Sequence, residues 1–356
     1  MLGQFICQIN QTNNINMLLK KYLKKNKITI IDLGCAGGID PIFSTLIKEE
    51  YAKAFGFDGN KNEIKKLIKN TKSDDTTYIN NLISDKNEMI DFFISGTVSS
   101  LDERKDRIKV YSEKYENKKV QSYTLDNWLS KNNISNNIIL KLDIEGSEVR
   151  ALNGAKLALK NMISFIKVEF NYHSDKNKNN FYEIHEILLK NNFQLMSITN
   201  EESPLFGVSA GDGLYFKNIH GYNLINSTEK KMKFIIQSVY TSILLKKYEY
   251  AALLLNEYSP IISKDISNEL WKLILKNYYL PNVSLFSFPR LSFMFYFISA
   301  ILAGKNSHKK SYPKINRLIN SKFLFVNLVL NIFKKKYKQK LLKKILIYKI
   351  KKDLNE

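Results

Sequence analysis

The sequence predicts an α/β fold: a mostly parallel sheet with helices on both faces, followed by a basic α-helical appendage. Three observations carry this. Short β-rich runs alternate with helical runs as far as about residue 220, the pattern of βαβ units. Several of the β-rich runs are almost wholly apolar, as strands covered on both faces must be. Charge and periodicity then change together near Tyr222. Residues 1–222 hold 30 Lys and Arg against 27 Asp and Glu, whereas residues 223–356 hold 25 against 7. Two domains are therefore expected, 1–222 and 223–356.

Taken in order, Ile28–Leu33 (ITIIDL) is the first buried strand, and Gly34, Gly37 and Gly38 follow it before a helix after Pro41. Ala54–Asp58 is the second strand, Lys61–Asn70 a Lys-rich helix and Thr77–Asn80 a short third strand. Residues 84–137 read as less regular. Ile138–Asp143 is again a buried strand, Gly146–Lys160 a helix, Ile163–Phe170 a strand and Phe181–Lys190 a helix, with Phe193–Thr199 and Gly213–Lys217 closing the set.

The strand–loop–helix unit IDLGCAGGIDP is the first chemical signal. Glycines let the backbone turn tightly and approach a ligand, and the following helix presents free N–H groups. A dinucleotide fingerprint reads GxGxxG, but Asp32 stands at its first glycine. A carboxylate repels a pyrophosphate and attracts the amino and sulfonium groups of S-adenosylmethionine (SAM). The DxGxxGG pattern of Asp32, Gly34, Gly37 and Gly38 thus favours SAM. Asp58, at the end of the second strand, is placed to accept ribose hydroxyls. Asn81 and Leu82, after the third strand, are candidates for hydrogen bonding to and packing on the adenine.

The second signal is LKLDIEGSEVRALNGA, residues 140–155. Together with DLGCAGG it resembles the FkbM-type methyltransferase family, which carries K-x-D-x-E-G-x-E followed by L-x-G-A. The resemblance extends through Tyr123–Leu129 (YTLDNWL) and Val168–Glu169 to GDGLYF at 211–216, covering roughly residues 25–220. It implies a class I, Rossmann-like SAM-dependent methyltransferase, usually acting on a hydroxyl of a sugar or natural product. Asp58-Gly59 stands where the family commonly has Glu-Pro, a departure that keeps the charge and shortens its reach.

Ligands of open α/β sheets bind at the carboxyl ends of the strands, where Gly34, Asp58, Asp143 and Glu169 collect. A hydroxyl acceptor must lose a proton as it attacks. Asp143 is the first candidate for base or acceptor-positioning group, with Glu145, Glu169 and His173 beside it. No metal is expected. Glu148 reads as an electrostatic partner in the first helical turn, and Lys141 as the partner of a local carboxylate.

Two cysteines and no CxxC pair exclude a disulfide framework or a structural zinc, and point to a reducing cytoplasm. The amino-terminal residues lack the pattern of a secretory signal. Lys334–Lys352 holds 10 Lys in 19 residues and no acid, with Leu341, Leu342, Ile345 and Leu346 on one helical face. A basic amphipathic helix of this kind suits an anionic membrane surface, which would place a cytoplasmic protein peripherally at the inner membrane face; the alternatives are a partner-binding helix and a solvated Lys face on an ordinary helical bundle. The partners expected are a small-molecule or glycan acceptor and that membrane, not nucleic acid. Competing readings are an inactive, membrane-associated scaffold with a methyltransferase-like fold, and a nucleic-acid methyltransferase. Against the latter, the basic charge lies outside the catalytic half, and no N-P-P-Y or D-P-P-Y motif occurs.

Overall fold

The computed structural model describes residues 17–94, 116–172, 181–202 and 210–278, with Lys343, Leu346 and Ile347. A seven-stranded sheet runs in the order β3-β2-β1-β7-β8-β10-β9. Its strands are β1 (Ile28–Leu33), β2 (Ala52–Phe57), β3 (Thr76–Ile79), β7 (Ile138–Leu142), β8 (Ile163–Asn171), β9 (Phe193–Glu202) and β10 (Ala210–Lys217). β1 is an inner strand that pairs in parallel with β2 and β7, while β10 runs antiparallel to both β8 and β9. The chain order reverses beside β1, and that is where an open sheet leaves a crevice for a ligand.

The apolar runs are explained by two-sided burial. Successive side chains of a strand point to opposite faces. On one face Ile28 and Ile30 of β1, Ile139 of β7, Phe165 of β8 and Phe216 of β10 enter a common core. On the other, Ile31 and Leu33, Leu140 and Leu142, Ile166 and Val168, and Tyr215 enter a second. Helices α4 (Leu125–Lys131), α5 (Glu148–Asn153), α6 (Lys156–Asn161) and α7 (Phe181–Lys190) supply apolar residues to the second core. The remaining helices before them are α1 (Met17–Lys25), α2 (Ser44–Lys48) and α3 (Lys61–Asn70).

The expected helix over Gly146–Lys160 is two helices, α5 and α6. The break is fixed by Asp126: its N–H donates to Gly154 O at 3.1 Å, and its carboxylate accepts from Leu157 N and Ala158 N, both at 2.8 Å. In the same segment Thr124 caps α4 by accepting from Asn127 N at 3.2 Å. Thr124 and Asp126 of YTLDNWL therefore hold helices in place. The section read as less regular supplies β5 (Met89–Ile94) and β6 (Glu116–Tyr123), which with β4 (Leu82–Ile83) form a three-stranded sheet in the order β4-β6-β5. β6 begins ENKK, with exposed polar positions and no apolar run, so apolar patterning does not reveal it.

The boundary expected at Tyr222 is not a boundary in packing. Helices α8 (Thr228–Leu244), α9 (Tyr248–Glu257) and α10 (Lys264–Tyr278) share the first core with α1, β1, β2 and β10. Tyr222 itself is fully buried. Tyr250 donates its hydroxyl hydrogen to Lys217 O at 2.6 Å, and Tyr258 donates to Ile219 O at 2.8 Å. Residues 228–278 therefore complete the cover of one sheet face. Sequence periodicity shows that a helix is amphipathic but not which surface it covers.

Leu346 corrects a second expectation. Placed by its periodicity on a lipid-facing side, it lies in that same core, fully buried. Lys343 Nζ stands 5.0 Å from the centre of the Trp271 ring, and burial lowers its proton affinity. Leu341, Leu342, Ile345 and the rest of the 334–352 segment lie outside the described residues. No helix among the described residues is long and apolar enough to cross a membrane.

Candidate active site

A cavity of about 330 Å³ opens at the carboxyl ends of β1, β2 and β7. That is within the size range of small-ligand sites. Gly34, Gly37, Asp58, Asn81, Leu82, Asp143 and Glu145 all line it, so residues expected to hold a cofactor and residues expected to act on an acceptor share one space.

The glycine loop is shaped by its neighbours. Gly34 has φ +77°, and a β-carbon there would lie 1.8 Å from the carbonyl oxygen of Asp143. Glycine alone lets the loop after β1 touch the end of β7. Gly37 has φ +84° with nothing within 4 Å of its β position, so its backbone borders open space. Gly38 does not line the cavity; its β position is 3.4 Å from the Tyr78 hydroxyl.

Asp32 is not where the sequence placed it. Its carboxylate is fully buried beneath the loop, accepts from Asp40 N at 2.8 Å and lies 3.2 Å from Lys141 Nζ. It braces the loop and does not line the cavity. Burial raises its pKa to about 6, with Lys141 and the Asp40 N–H pulling the other way.

Lys141 is the residue whose importance the sequence understated. Its ammonium donates to Gly34 O at 3.0 Å and lies 3.2 Å from both Asp32 Oδ1 and Asp143 Oδ2. Burial alone would favour loss of its proton, but the two carboxylates outweigh this and hold Lys141 above the ordinary lysine range. One cation thus ties the glycine loop, the brace beneath it and the first candidate base. The K-x-D at the end of β7 was the available signal: two positions apart along extended chain, both side chains lie on one face.

Asp143 is half-exposed on the cavity wall, its side chain 43% accessible. The turn after it is irregular, with Glu145 at φ +53° and Gly146 at φ +110°. Glu148 holds that turn from below, accepting from Ile144 N at 2.7 Å and Gly146 N at 3.2 Å while fully buried. Burial raises its pKa to about 7, against the backbone N–H groups that favour the anion. Glu148 is therefore a brace, more than the electrostatic partner expected.

Asp58 accepts from Asn60 N at 2.7 Å, and its backbone carbonyl accepts from Asn80 Nδ2 at 2.9 Å. Burial raises its proton affinity. The Asp58-Gly59 departure has a local reason: a β-carbon on Gly59 would lie about 2.5 Å from the ring of Phe92, which also lines the cavity. Phe92 and Glu63 complete this wall and were not anticipated. Phe92 belongs to the small sheet, and Glu63 is in the first turn of α3.

Glu169 does not line the cavity. It pairs in register with Asp212, and burial followed by the charges of Asp143, Glu145, Glu148 and Asp212 raises its proton affinity well above the usual carboxylate range. His173 lies outside the described residues. Among the described residues no group of His, Cys, Asp and Glu side chains is arranged to hold a metal.

The sheet order, with its antiparallel β10, and a glycine-floored cavity at the switch beside β1 define the class I SAM methyltransferase fold. The family model described as the methyltransferase FkbM domain matches residues 10–195. The chain belongs to that family, and SAM is its cofactor. Solved structures similar to it include the methyltransferase FkbM of Methylobacillus flagellatus KT (14% identity, 53% of this chain and 43% of that one, TM-score 0.33). A putative SAM-dependent methyltransferase from Listeria monocytogenes is similar at 14% identity, over 56% of this chain and 95% of that one, TM-score 0.31. Magnesium protoporphyrin IX methyltransferase from Synechocystis PCC 6803, solved with bound SAM, is similar at 10% identity over 58% and 78%, TM-score 0.28. The chain spans about two fifths of the Methylobacillus protein. No curated protein matches it.

The cavity fits the cofactor on its own features. Gly37 offers backbone without a side chain in the way, and Asp58 is a largely buried carboxylate with an acceptor oxygen already oriented by Asn60.

Proposed function

We propose that this chain is a SAM-dependent O-methyltransferase acting on a hydroxyl of a sugar, a glycan or a related metabolite. The observation that carries the reading is Asp143, a half-exposed carboxylate on the wall of the cofactor cavity, held at 3.2 Å by Lys141. When bound, SAM supplies an electrophilic methyl group on a sulfonium. The chain supplies the rest. Asp58 receives ribose hydroxyls, and the backbone of Gly34 and Gly37 floors the site. Asn81 and Leu82 stand on the wall where the base is expected. Asp143 orients the acceptor hydroxyl and takes its proton as the oxygen attacks. Lys141 fixes the Asp143 carboxylate, so the proton is received at a set position.

The sequence carries no amine-methylating N-P-P-Y or D-P-P-Y motif, which favours a hydroxyl over an amine as the acceptor. Asp143→Asn tests the reading: methyl transfer to a panel of glycan precursors should fall by roughly 10²–10⁴, the range for loss of a general base, with SAM affinity retained. Undiminished turnover would remove Asp143 from the chemistry.

A further inference from the structure

We propose a second ligand site, at the amino-terminal end of the sheet, that takes a phosphate ester carrying a free hydroxyl. The site is a cavity of about 390 Å³ between the end of α1, the residues leading into β7 and the first turns of α8. β1 and β7 begin beside it and end at the cofactor cavity. The two spaces therefore lie at opposite ends of the same strands.

Two independent features select the ligand. The first is charge. Lys25, Lys27, Lys230 and Lys233 line the cavity against one lining carboxylate, Glu229. Lys27 is paired with Asp75 and Lys233 with Glu229. Lys230 Nζ stands 5.4 Å from the centre of the Phe234 ring, and Lys25 acts on Glu229 through its charge alone. The 17-residue helix α8 begins here, its Ser227 cap accepting from Lys230 N at 3.3 Å. A helix start carries partial positive charge and free N–H groups. The cationic excess calls for an anion.

The second feature is Gln237, further along α8 and only 2% exposed. Its Nε2 donates to Asn26 O at 2.6 Å, which settles which end of the amide is oxygen. Its Oε1 is buried and has no hydrogen-bond partner among the described residues, and Gln237 is one of the residues lining the same cavity. A buried acceptor left unmade is costly and marks a place for a donor. A simple anion would answer the lysines and leave Oε1 unbonded. A phosphate on a polyol answers both, its phosphate oxygens at the lysines and one O–H at Gln237. Glycerol phosphate is the smallest such group, whether free or as the headgroup of phosphatidylglycerol.

Isothermal titration of the full chain with glycerol 3-phosphate and with ethyl phosphate, which lacks the hydroxyls, tests this. Saturable binding of glycerol 3-phosphate is expected, roughly 2–10-fold tighter than ethyl phosphate, the span of one ordinary hydrogen bond. Gln237→Met should erase that preference, and Lys25→Gln with Lys230→Gln should weaken both ligands at least about 5-fold. SAM affinity should stay unchanged in every variant, which also confirms folding. Should Gln237→Met not fold, the comparison of the two phosphates on the natural chain decides the hydroxyl assignment. Flotation with phosphatidylcholine vesicles, with and without phosphatidylglycerol, separates the sources. A loss of vesicle binding in the double lysine variant assigns the headgroup, and soluble binding without that loss assigns the free ester. No saturable binding of glycerol 3-phosphate, together with vesicle binding indifferent to the lysines, overturns the site. Equal affinity for the two phosphates overturns the role of Gln237.

Discussion

Replacing Gly34 and Gly37 by alanine, one at a time, applies the same chemical change three residues apart and should give two different failures. Both have positive φ, so each alanine carries a backbone cost of about 1–2 kcal/mol. At Gly37 the new methyl meets nothing within 4 Å, and the backbone cost is most of the effect. At about 2–4 °C per kcal/mol for a unit of this size, Tm should fall by roughly 2–8 °C. The methyl instead enters the space the cofactor needs, so SAM affinity should drop sharply. At Gly34 the methyl would meet Asp143 O at 1.8 Å, about half an ordinary contact. The loop and the end of β7 must separate, straining or breaking Lys141 to Gly34 O at 3.0 Å and Asp143 N to Leu33 O at 3.1 Å. Overpacking costs about 1–3 kcal/mol and a charge-assisted hydrogen bond about 1.5–3. With the backbone term the loss is roughly 4–8 kcal/mol, a large part of a domain's stability. Scanning calorimetry and SAM titration on both variants check this. Equal Tm losses, or a Gly37→Ala that binds SAM like the natural chain, would refute the division between a packing glycine and a ligand-facing one.

Asp58→Asn should weaken SAM by about 1.5–3 kcal/mol, read by titration, because a charged acceptor becomes a neutral one of the same shape. The folded pKa of Asp32 lies at about 6, above the unfolded value, so its contribution is fully present below about pH 4 and is lost as pH rises through 6. That amounts to roughly 3 kcal/mol over about two units. Asp32→Asn should flatten the rise in stability seen by urea unfolding between pH 6.5 and 4. Some slope should remain, because Glu148 titrates in the same direction up to about 7. Leu346→Ala should lower stability by about 2–5 kcal/mol, as for a core leucine, whereas a leucine facing lipid would leave unfolding in detergent-free buffer unchanged.

The parallel sheet was legible because strands buried on both faces leave an unmistakable apolar run, as Ile28–Leu33 and Ile138–Leu142 do. The cavity was legible in part because its glycines and Asp58 stand at strand ends, where chain direction alone fixes position. Other features are set by contacts distant in sequence, which no local pattern records. Asp32 was assigned to the ligand by charge complementarity, yet Lys141, more than a hundred residues on, consumes that charge. The wall residue Phe92 belongs to a strand whose partner β6 is polar along its first half. The packing of α8, α9 and α10 on the sheet could not be read at all. Their Lys-rich polar positions resemble those of a free-standing bundle, and only the tertiary structure shows Tyr250 and Tyr258 anchored to the chain at Lys217 and Ile219.

That anchoring sets where the protein can be cut. The family resemblance fades near residue 216, and a gene fragment ending at Tyr222 would carry every motif of the cofactor site. It would also bare the side of the sheet formed by Ile28, Ile30, Phe165 and Phe216, which α8, α9, α10 and Leu346 cover. Such a fragment would meet water with a broad oily surface, and clumping or dependence on chaperones would follow. The smallest piece that folds is therefore longer than the smallest piece that carries the signature, and swapping catalytic halves between relatives would require carrying the helices along.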